Sequence, residues 1–505
     1  MISALILIPA LAGIASFLLR SNSVRRGVLV ATALTHTGLT LSAWAALPAP
    51  MFGGWLLLDA QGLIFLTTTT LLFLATSFYS VGYLRQEDWG KRQDFEEGFL
   101  FTNAREATFT GCLLLFLATM TLVTVSQHFG LLWVAVEATT LASAPLIYFH
   151  RHRRSLEATW KYLLICSVGI ALALLGTFFL SVAGTMGRES HMPMTVRNLI
   201  LQGQTLNIPW LKAAFLFLLV GYGTKLGLAP MHTWLPDAHS EAPSVISALL
   251  SGALLNCAFL GILRIQQVCV AAGQGIFGQK LLLGFGLVSM AVAAVFILRQ
   301  ADFKRMLAYS SVEHMGILSL AVGIGGGADF GAMLHAVNHS LTKGMLFLVA
   351  GNILTAYKTK STEDVQGVLR VLPVSGVLWV VGFLAISGSP PFGPFLSELV
   401  ILKAALDQGQ IGVALVYLAL LSIIFIGLAT IMLRMSQGMP LIKPGVQTPA
   451  LEAFSLKGRN ASPHAESFFS VLPPMALGTM VLVLGLYIPP GLRSVLEAAA
   501  RAISG

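Results

Sequence analysis

Charged residues are scarce in this sequence of 505 residues, since Asp, Glu, Lys and Arg together make up only 10%. A soluble domain carries about 25% of these residues, so the composition excludes an ordinary water-soluble enzyme. Hydrophobic residues make up 56%, and the mean hydropathy is +0.80. The net charge of +9 comes from 31 Lys and Arg residues scattered between apolar runs, without a basic block that would bind nucleic acid. The composition indicates a protein whose main solvent is the lipid bilayer.

Cysteine is also rare, and the four cysteines stand far apart in apolar stretches, at Cys112, Cys166, Cys257 and Cys269. The sequence has no Cys-x-x-Cys pair of the kind that holds metals or iron–sulfur clusters. It also has no nucleotide-binding loop or flavin motif. We therefore expect no cofactor on this chain and no catalytic role of its own, with the cysteines as small core residues. Energy for any transport would have to come from a partner.

Long apolar runs dominate the sequence. A membrane-spanning helix needs about 20 apolar residues, and fourteen runs of suitable length can be distinguished. They lie near 2–19, 27–46, 62–84, 108–127, 129–149, 158–183, 210–230, 243–263, 281–298, 306–325, 330–357, 371–405, 411–433 and 470–490. The first run precedes the first charge, Arg20, and lacks the positive start of a signal peptide, so we expect it to be retained as a span. The predicted fold is an all-α polytopic membrane protein of about 14 transmembrane helices, without a separate soluble domain.

Lys and Arg are unequally distributed between the connections. Of the 31, twenty follow odd-numbered runs and six follow even-numbered runs. Cytoplasmic loops carry the excess of Lys and Arg in membrane proteins, so this alternation favours the division into fourteen spans. It predicts that both termini lie on the non-cytoplasmic side.

The remaining five cations lie within or at the edges of apolar runs. They are Lys161, Lys212, Lys225, Lys343 and Lys403. A charge at the centre of a membrane helix costs about 2.5–3.5 kcal/mol, so a deep charge needs a functional reason. Lys161, Lys212 and Lys403 lie near predicted span ends or polar turns, where snorkelling or a static ion pair explains them.

Two charged residues are not explained by snorkelling to a span end or by an ion pair within their own stretch of sequence. Glu137 lies near the middle of the fifth run, LLWVAVEATTLASAPLIYF, and needs a partner from another helix. Lys225 lies in GYGTKLGLAPMHTWLPDAHSEAP, where glycines and prolines predict an interrupted helix. Non-helical backbone at membrane depth is tolerated only where it lines protein or water. We therefore expect Lys225 to lie beside a hydrated path.

Three titratable residues, His335, His339 and Lys343, are spaced four positions apart in GAMLHAVNHSLTKGMLF. This spacing places them on one face of a helix. Because histidine changes its charge near neutral pH, the stripe favours a proton relay over isolated hydrogen-bonded core histidines. Metal binding by His335 and His339 is an alternative, but no third carboxylate or cysteine stands nearby in the sequence and Lys343 would repel a cation. No metal site is predicted.

Glu398 follows a second interrupted segment, GFLAISGSPPFGPFLSELVILKAAL. Glu137 precedes Lys225 by 88 positions, and Glu313 precedes Glu398 by 85. Paired interruptions at corresponding positions are typical of inverted-repeat transporters. The expected organisation is a single membrane domain with two inverted repeats of five helices and with discontinuous helices seven and twelve. Its parts are N-terminal helices at 1–105, a first half-channel repeat at 106–265, a second at 281–435, and a loop with the last helix at 436–505.

Five stretches carry a family resemblance: WVAVEATTLASAPL, GYGTKLGLAPMHTWLPDAHSEAPS, ADFKRMLAYSSVEHMG, HAVNHSLTKGMLFLVAG and SGSPPFGPFLSE. They resemble the antiporter-like membrane subunits of respiratory complex I and of its hydrogenase and Mrp relatives. The sequence around Glu137 and the stretch SLEATWKYLLICSVGIALALLGT are most similar to the F-type membrane subunit of hydrogenase-4 and formate hydrogenlyase complexes. The similarity covers roughly residues 60–435.

The resemblance implies roles for individual residues. Glu137 matches the fifth-helix glutamate and Lys225 the seventh-helix lysine, a pair whose interaction gates proton loading. Lys343 matches the helix-eleven lysine that links the half-channels, with His335 and His339 beside it, and Glu398 matches the exit residue of helix twelve.

One departure concerns helix eight, where several relatives place a lysine and this sequence has Asn256. Asparagine can hold a water wire but cannot store a charge, so Glu313 or His314 in helix ten is a possible substitute. Asp237 and His239, after the broken helix, either help protons to enter or cap a turn.

The resemblance implies a proton-translocating subunit of a complex I-like redox complex in the inner membrane of a prokaryotic cell. Its expected partners are other membrane subunits, including further antiporter-like ones, and indirectly soluble redox subunits. The alternative is an Mrp-type sodium/proton antiporter subunit. A membrane enzyme acting on lipid-linked substrates is less favoured, because the longest loops show no catalytic constellation. A structural subunit without transport stays open, mainly because Asn256 stands where several relatives have a lysine.

Overall fold

A computed structural model describes residues 1–87, 90–93, 98–186, 193–440 and 466–504. Within these ranges the protein is helical apart from short turns and one two-residue antiparallel hairpin, β1 (Arg92–Gln93) with β2 (Leu100–Phe101). Most of the 436–468 connection lies outside the described residues, as do Arg188, Lys443, Lys457 and Arg459 among the cations used for the orientation.

The helices are numbered in the order of the chain. In the first half they are α1 (Ile2–Leu18), α2 (Asn22–Ala45), α3 (Ala60–Gln86), α4 (Glu106–Val125), α5 (Phe129–Ile147), α6 (Arg153–Thr185), α7 (Val196–Leu201), α8 (Ile208–Leu226), α9 (Trp234–Glu241), α10 (Ser244–Leu249) and α11 (Leu255–Ala271). In the second half they are α12 (Gly275–Ile297), α13 (Phe303–Ile324), α14 (Gly327–Tyr357), α15 (Val368–Val371), α16 (Pro373–Ile386), α17 (Gly393–Asp407), α18 (Ile411–Ser436), α19 (Phe468–Leu486) and α20 (Pro490–Ser504).

Ten segments of the described chain are helices long and apolar enough to cross a membrane. The apolar runs outside this set coincide with α1, α8, α14 and the α16–α17 pair. α1 and α16 are shorter apolar helices, and α8 and α14 carry lysine or histidine within their apolar sequence. Large apolar side chains such as Leu11, Leu164 and Leu415 are exposed on the outside, as expected for a surface that faces lipid.

Two helices are interrupted where the glycines and prolines predict it. α8 ends at Leu226, and Gly227 then adopts a left-handed conformation (φ 83°) before α9 begins at Trp234. The Trp234 indole nitrogen donates to the carbonyl of Thr224 (2.8 Å), which ties the break together. α16 ends at Ile386, and α17 begins six residues after Ser387, at Gly393. Both breaks lie against other helices of the bundle.

A third irregularity was not predicted. Residues Leu250–Leu254 between α10 and α11 form a π-helical turn, and all five are buried. Gly252 in this turn packs so closely against α14 that an added Cβ atom would lie 2.9 Å from the Ser340 carbonyl oxygen. Single π-helical turns inside α-helices are frequent at functional sites. Here the turn carries Ser251 into the interior.

α14 is the central helix of the second half of the chain. It packs against α3, α10, α13, α16, α17, α19 and α20, and almost all of its residues are buried. Because this helix carries His335, His339 and Lys343, those side chains lie inside the bundle rather than against lipid. The fold therefore places these titratable groups between helices and away from lipid.

Candidate functional site

Lys225 lies in the last turn of α8, and its side chain is completely buried. Its ammonium donates to the hydroxyls of Thr140 (2.8 Å) and Tyr162 (2.6 Å). The same nitrogen lies 4.4 Å from the centre of the Tyr162 ring, within cation–π range. A buried ammonium needs such partners, because an unpaired charge in this environment is very costly. Two helices, α5 and α6, thus supply the pocket for the lysine.

Glu137 lies one turn away from Thr140 on α5 and is partly exposed. Its carboxylate accepts hydrogen bonds from Ser167 of α6 (3.0 Å) and from Thr140 (3.3 Å). Among the described ion pairs there is none between Glu137 and Lys225. Thr140 stands between them, since its hydroxyl accepts from the ammonium and donates to the carboxylate. The two charges are therefore coupled through one hydroxyl.

Sequence reasoning missed Thr140, Tyr162 and Ser143. Tyr162 shares a 2.6 Å hydrogen bond with Ser143, whose hydroxyl also bonds to the carbonyl of Thr139 (2.7 Å). The spacing could have identified Thr140, because it follows Glu137 by three positions and is therefore its neighbour on the surface of α5. Tyr162 comes from another helix and has no such signal.

Lys343 of α14 is fully buried and donates to the carbonyl oxygen of Leu307 (2.7 Å) on α13. The same carbonyl accepts from Ser311 (3.2 Å), and the Ser311 hydroxyl lies 2.7 Å from that of Ser251. A hydrogen-bonded connection thus runs from Lys343 to the π-helical turn. No contact among the described residues continues this connection from Ser251 to Lys225, so the central step lacks a direct link.

Three side chains from three helices form one continuous hydrogen-bonded row. Nδ1 of His314 on α13 lies 2.8 Å from Nε2 of His335 on α14, and Nδ1 of His335 lies 2.9 Å from the hydroxyl of Ser397 on α17. The His314 and His335 rings are also stacked, with centroids 5.0 Å apart. The row brings together residues that are widely separated in the sequence.

This Ser397–His335–His314 row can be occupied by protons in two ways. If Ser397 donates to the Pro394 carbonyl (2.9 Å), it accepts from His335, and each ring then carries its proton on Nδ1. If Ser397 instead donates to His335, both rings carry the proton on Nε2. A proton that enters at one end and leaves at the other converts one arrangement into the other, because a neutral imidazole has one donor and one acceptor nitrogen. The row has the chemistry of a proton wire.

Glu313 and Glu398 lie beside this row. Oε2 of Glu313 is 4.0 Å from Nε2 of His314, and neither atom has a hydrogen-bond partner among the described residues. Glu398 is 7% exposed and lies against the break before α17, where an added Cβ atom on Gly388 would overlap its carboxylate. Oε1 of Glu398 and the hydroxyl of Tyr417 also lack a hydrogen-bond partner within the described ranges.

His339 is placed one turn beyond His335, with its ring 5.2 Å from that of His314. Neither of its nitrogens has a hydrogen-bond partner in the described part of the chain, and the same holds for His239, which stacks on Phe347 at 5.1 Å. Buried polar atoms in native proteins bond to protein or to ordered water. The concentration of such atoms here, from His239 through His339 to Glu398, fits an interior that holds water.

Asn256 and Asp237 were also predicted as site residues, but neither makes a hydrogen bond to the Ser397–His335–His314 row. Asn256 donates from its amide to Ser340 (2.7 Å) and to the Gly252 carbonyl (3.1 Å), so it ties α11 to α14 beside the π-helical turn. Asp237 lies at the end of the bundle, in ion pairs with Lys161 (2.9 Å) and Arg305 (2.6 Å). Asp237 therefore belongs to a group of ion pairs at one end of the bundle. For Lys161, this is the static ion pair that the sequence analysis offered as one explanation.

Lys212 and Lys403 are also accounted for by local contacts. Lys403 pairs with Asp407 one turn along α17 (2.5 Å), and both side chains are exposed. The Lys212 ammonium lies 5.3 Å from the centre of the Phe277 ring. Neither lysine reaches the interior row.

A second charged cluster occupies the same end as Asp237. Lys360 pairs with Glu241 (2.7 Å) and lies 3.8 Å from Asp302. Burial raises the pKa of Glu241, but the Lys360 ammonium outweighs this effect and the pKa falls to about 2. His152 also faces Glu241, at 3.7 Å. We call this group, with Asp237, Lys161 and Arg305, the basic-end network.

The metal-ligand alternative considered for the sequence, His335 with His339, is not the group that the structure brings together. Instead, ligand atoms of His314, His335 and Glu398 all lie within 4.8 Å of one another, and all three residues are buried. The expectation that no third ligand is near was wrong because it considered neighbours in sequence only. The missing carboxylate comes from another helix, 63 positions further along.

The fold and this interior define a class of protein: an all-helical membrane protein with two broken helices and titratable side chains buried between them. Residues 126–425 match the family described as NADH:quinone oxidoreductase/Mrp antiporter, transmembrane. The chain belongs to this family.

Relatives support the membership. The chain is 35% identical over 448 residues to the hydrogenase-4 component F homolog of Methylacidiphilum infernorum, which covers 87% of this chain and 86% of the relative. It is 31% identical over 376 residues to hydrogenase-4 component B of Escherichia coli, covering 72% of this chain but only 52% of that longer protein. These matches confirm the resemblance seen in the motifs.

Among solved structures, a chain of the archaeal membrane-bound sulfane sulfur reductase, a respiratory membrane complex, is similar with a TM-score of 0.85. The two chains are 20% identical, and the match covers 100% of this chain and 97% of the other. At this identity the likeness establishes the fold alone.

Proposed function

We propose that this chain is the proton-translocating membrane subunit of a complex I-like redox complex, of the hydrogenase-4 or NADH:quinone oxidoreductase type. The observation that carries the proposal is the buried Ser397–His335–His314 row, with Glu398 close to both rings and Lys343 two turns from His335 on the same helix. The row ties three helices together, and its two proton arrangements in addition suit it to proton transfer. Family membership and the component F homolog support the same function.

The gating step rests on Glu137, Thr140 and Lys225. Glu137 is partly exposed on α5, on the same helix as the exposed residues Val134 and Leu141, where a neighbouring membrane subunit can reach it. Moving the carboxylate away removes a negative charge that stabilises the Lys225 ammonium through Thr140. The buried amine then favours its neutral form and releases a proton to the interior.

The proposed path begins at the basic-end network and loads Lys225. It then crosses the region of Asn256 and Ser251 to Lys343, passes His339 to His314, continues along the row through His335 to Ser397, and leaves through Glu398. Water has to carry the proton between Lys225 and Ser251, where the described side chains make no continuous contact. Glu313, 4.0 Å from His314, is a second acceptor on this path.

The proposed orientation follows the positive-inside rule, with the basic-end network facing the cytoplasm and both termini outside it. The remaining parts of the proposal are fourteen spans in an inner membrane, with two inverted five-helix repeats at 106–265 and 281–435, N-terminal helices at 1–105 and a last segment at 436–505. The breaks after Leu226 and Ile386 support the repeats, because inverted-repeat transporters place broken helices at corresponding positions. The proposed partners are other antiporter-like membrane subunits and, through them, soluble redox subunits.

The test is proton transport by the redox complex in vesicles. Glu137→Gln and Lys225→Ala should abolish proton uptake driven by the redox reaction while the complex stays assembled. Glu497→Gln and Lys403→Ala are matched controls, since both residues are in exposed i,i+4 ion pairs. Undiminished proton uptake in either test variant would contradict the proposal, and sodium movement in place of proton movement would favour the Mrp-type alternative.

A further inference from the structure

We propose that His314, His335 and Glu398 form a binding site for a transition-metal cation of the Zn²⁺ class, and that a bound cation blocks the interior row. The three residues come from α13, α14 and α17, and one ligand atom of each lies within 4.8 Å of the other two. The blocking part rests on the proposed function, whereas the binding part does not.

The ligand atoms have the spacing of a site that closes around a metal. Zinc binds imidazole nitrogen at about 2.0–2.1 Å and carboxylate oxygen at about 2.0–2.2 Å, so tetrahedral ligands lie roughly 3.4 Å apart. The contact between the His314 and His335 nitrogens, at 2.8 Å, has to open slightly. The carboxylate of Glu398 has to approach by a small side-chain movement. Neither change requires a helix to move.

The donor set selects the class of cation. Two imidazoles and one carboxylate are the protein ligands of one class of four-coordinate zinc site, in which water takes the fourth position. Sodium, magnesium and calcium prefer oxygen ligands, so they are disfavoured by two nitrogen donors. Zn²⁺, Co²⁺ and Cu²⁺ all accept this set, and Cu²⁺ is expected to bind most tightly.

Ser397 supplies the support that metal-bound histidines need. The second ring nitrogen of a ligating histidine is almost always held by a hydrogen bond. Nδ1 of His335 is held by the Ser397 hydroxyl at 2.9 Å, which leaves Nε2 of His335 to face His314. Oε1 of Glu398 is buried without a hydrogen-bond partner among the described residues, so its lone pairs are available.

Binding is incompatible with proton passage through the row. For Nδ1 of His314 and Nε2 of His335 to bind one cation, neither nitrogen can carry a proton, so His314 is protonated on Nε2 and His335 on Nδ1. This combination belongs to neither proton arrangement of the row. The hydrogen bond between the rings is then replaced by two metal–nitrogen bonds. The row can no longer switch between its two proton arrangements while the metal stays bound.

A cation can reach the site from the break between α16 and α17. Glu398 is the least buried of the three ligands, at 7% exposed. It lies against Gly388, and the adjacent residues Pro390 and Pro391 are exposed. The carboxylate is therefore the first ligand that a cation meets.

Binding is tested on the full-length chain in its membrane complex, purified with a tag free of histidine and held in lipid nanodiscs. Co²⁺ should bind with one equivalent that Zn²⁺ displaces and that gives the visible absorption bands of a tetrahedral site. Cu²⁺ electron paramagnetic resonance should show two coupled nitrogens. Binding of no metal, or Cu²⁺ coupling to no nitrogen or to one only, would overturn the site without reference to any variant.

Variants then assign the ligands. Glu398→Gln and His335→Gln keep the size of the side chain or nearly so, and each should weaken Co²⁺ binding at least about tenfold, as loss of a first ligand exceeds the 10–100-fold effect of supporting residues. Ser397→Ala should weaken it roughly tenfold for the same reason. His339→Gln is the matched control for binding and should leave it unchanged. Unchanged binding in both ligand variants would overturn the assignment.

The blocking part is read from proton uptake by the wild-type complex with and without added Zn²⁺. Zn²⁺ should inhibit uptake, with half-inhibition near the Zn²⁺ concentration that displaces Co²⁺ from the complex. His36→Gln is the control for zinc acting elsewhere, because His36 is a buried histidine of α2 held by Thr70 and Thr121. A site that binds metal without inhibiting uptake would overturn the block. If no metal binds while Lys225→Ala abolishes uptake, the site fails and the proposed function stands.

Discussion

Nδ1 of His314 lies 2.8 Å from Nε2 of His335, which joins the rings of two adjacent helices by a single hydrogen bond. Both residues are completely buried. Because Ser397 bonds to the other side of His335, the pair is part of a row in which every proton movement changes the tautomer of both rings. This arrangement joins polar groups of three helices into one hydrogen-bonded row, which is what the proposed proton transfer requires.

The Tyr162 hydroxyl is expected to hold the proton-loading lysine in position. It accepts from Lys225 (2.6 Å) and shares a bond with Ser143 (2.6 Å). Tyr162→Phe keeps the ring near the ammonium but removes one of the two hydroxyl acceptors of Lys225. Leaving a buried donor unpaired costs about 1–3 kcal/mol, so proton uptake should fall by roughly tenfold or more. The measurement is the initial rate of redox-driven uptake in vesicles.

Tyr148→Phe is the control for that substitution, since Tyr148 lies at the end of α5 and makes none of these contacts. The rate for Tyr148→Phe should match the wild type. Equal rates for Tyr162→Phe and the wild type would exclude a role for this hydroxyl.

Thr140 is expected to transmit the state of Glu137 to Lys225. Thr140→Val preserves the shape of the side chain and removes the hydroxyl that contacts both groups. Proton uptake should fall strongly, whereas Thr140→Ser should retain most of it because the hydroxyl remains. The comparison is made at equal levels of assembled complex.

A double-variant cycle sharpens this expectation. Glu137→Asp keeps the charge but shortens the side chain, so it should lower uptake only in part. If Thr140 carries the coupling, adding Glu137→Asp to Thr140→Val should lower uptake little further, because both changes interrupt one connection. Independent, multiplicative losses would show that Glu137 acts on Lys225 by another route.

The Glu241–Lys360 ion pair predicts a pH dependence of stability. The pKa of Glu241 is depressed from its ordinary value of 4.5 to about 2, so its contribution is fully present above about pH 4.5. As the pH falls from 4.5 toward 2, Glu241 becomes protonated more readily in the unfolded chain, and the contribution is lost. Lys360→Met should lower the thermal unfolding temperature at neutral pH and reduce its decline between these pH values.

The control for the Lys360 variant is Lys403→Met, because Lys403 is in an exposed ion pair that contributes little. Its unfolding curve should follow the wild type at every pH. An unfolding temperature for Lys360→Met that declines with acid as steeply as the wild type would contradict the assigned pairing.

The sequence predicted the helical class, the two breaks and the burial of the key charges, because each leaves a local signal. Glycine and proline mark the break after Leu226, and a four-residue spacing places His335, His339 and Lys343 on one face of α14. The polar partners could not be found in this way. Tyr162 and Ser397 are ordinary residues within apolar helices, and their importance comes from helices that meet only in the folded chain.

The group of His314, His335 and Glu398 shows the same limit. A search for ligands near His335 in the sequence finds only His339, whereas packing of α13 and α17 against α14 supplies the other two. The π-helical turn at Ser251 likewise has no local sequence signal. It occurs where Gly252 packs closely on α14, a contact between distant parts of the chain. Local sequence patterns predict the individual helices, whereas the contacts between helices distant in sequence determine which residues form the site.

Lys343 gives the most direct test of the central claim that protons cross the interior through buried titratable groups. The measurement is redox-driven proton uptake by vesicles containing the assembled complex with Lys343→Ala, beside Lys403→Ala as the exposed control. The account predicts that Lys343→Ala loses nearly all uptake attributable to this subunit while Lys403→Ala keeps the wild-type rate. Equal uptake by the two variants, at equal redox turnover, would contradict it.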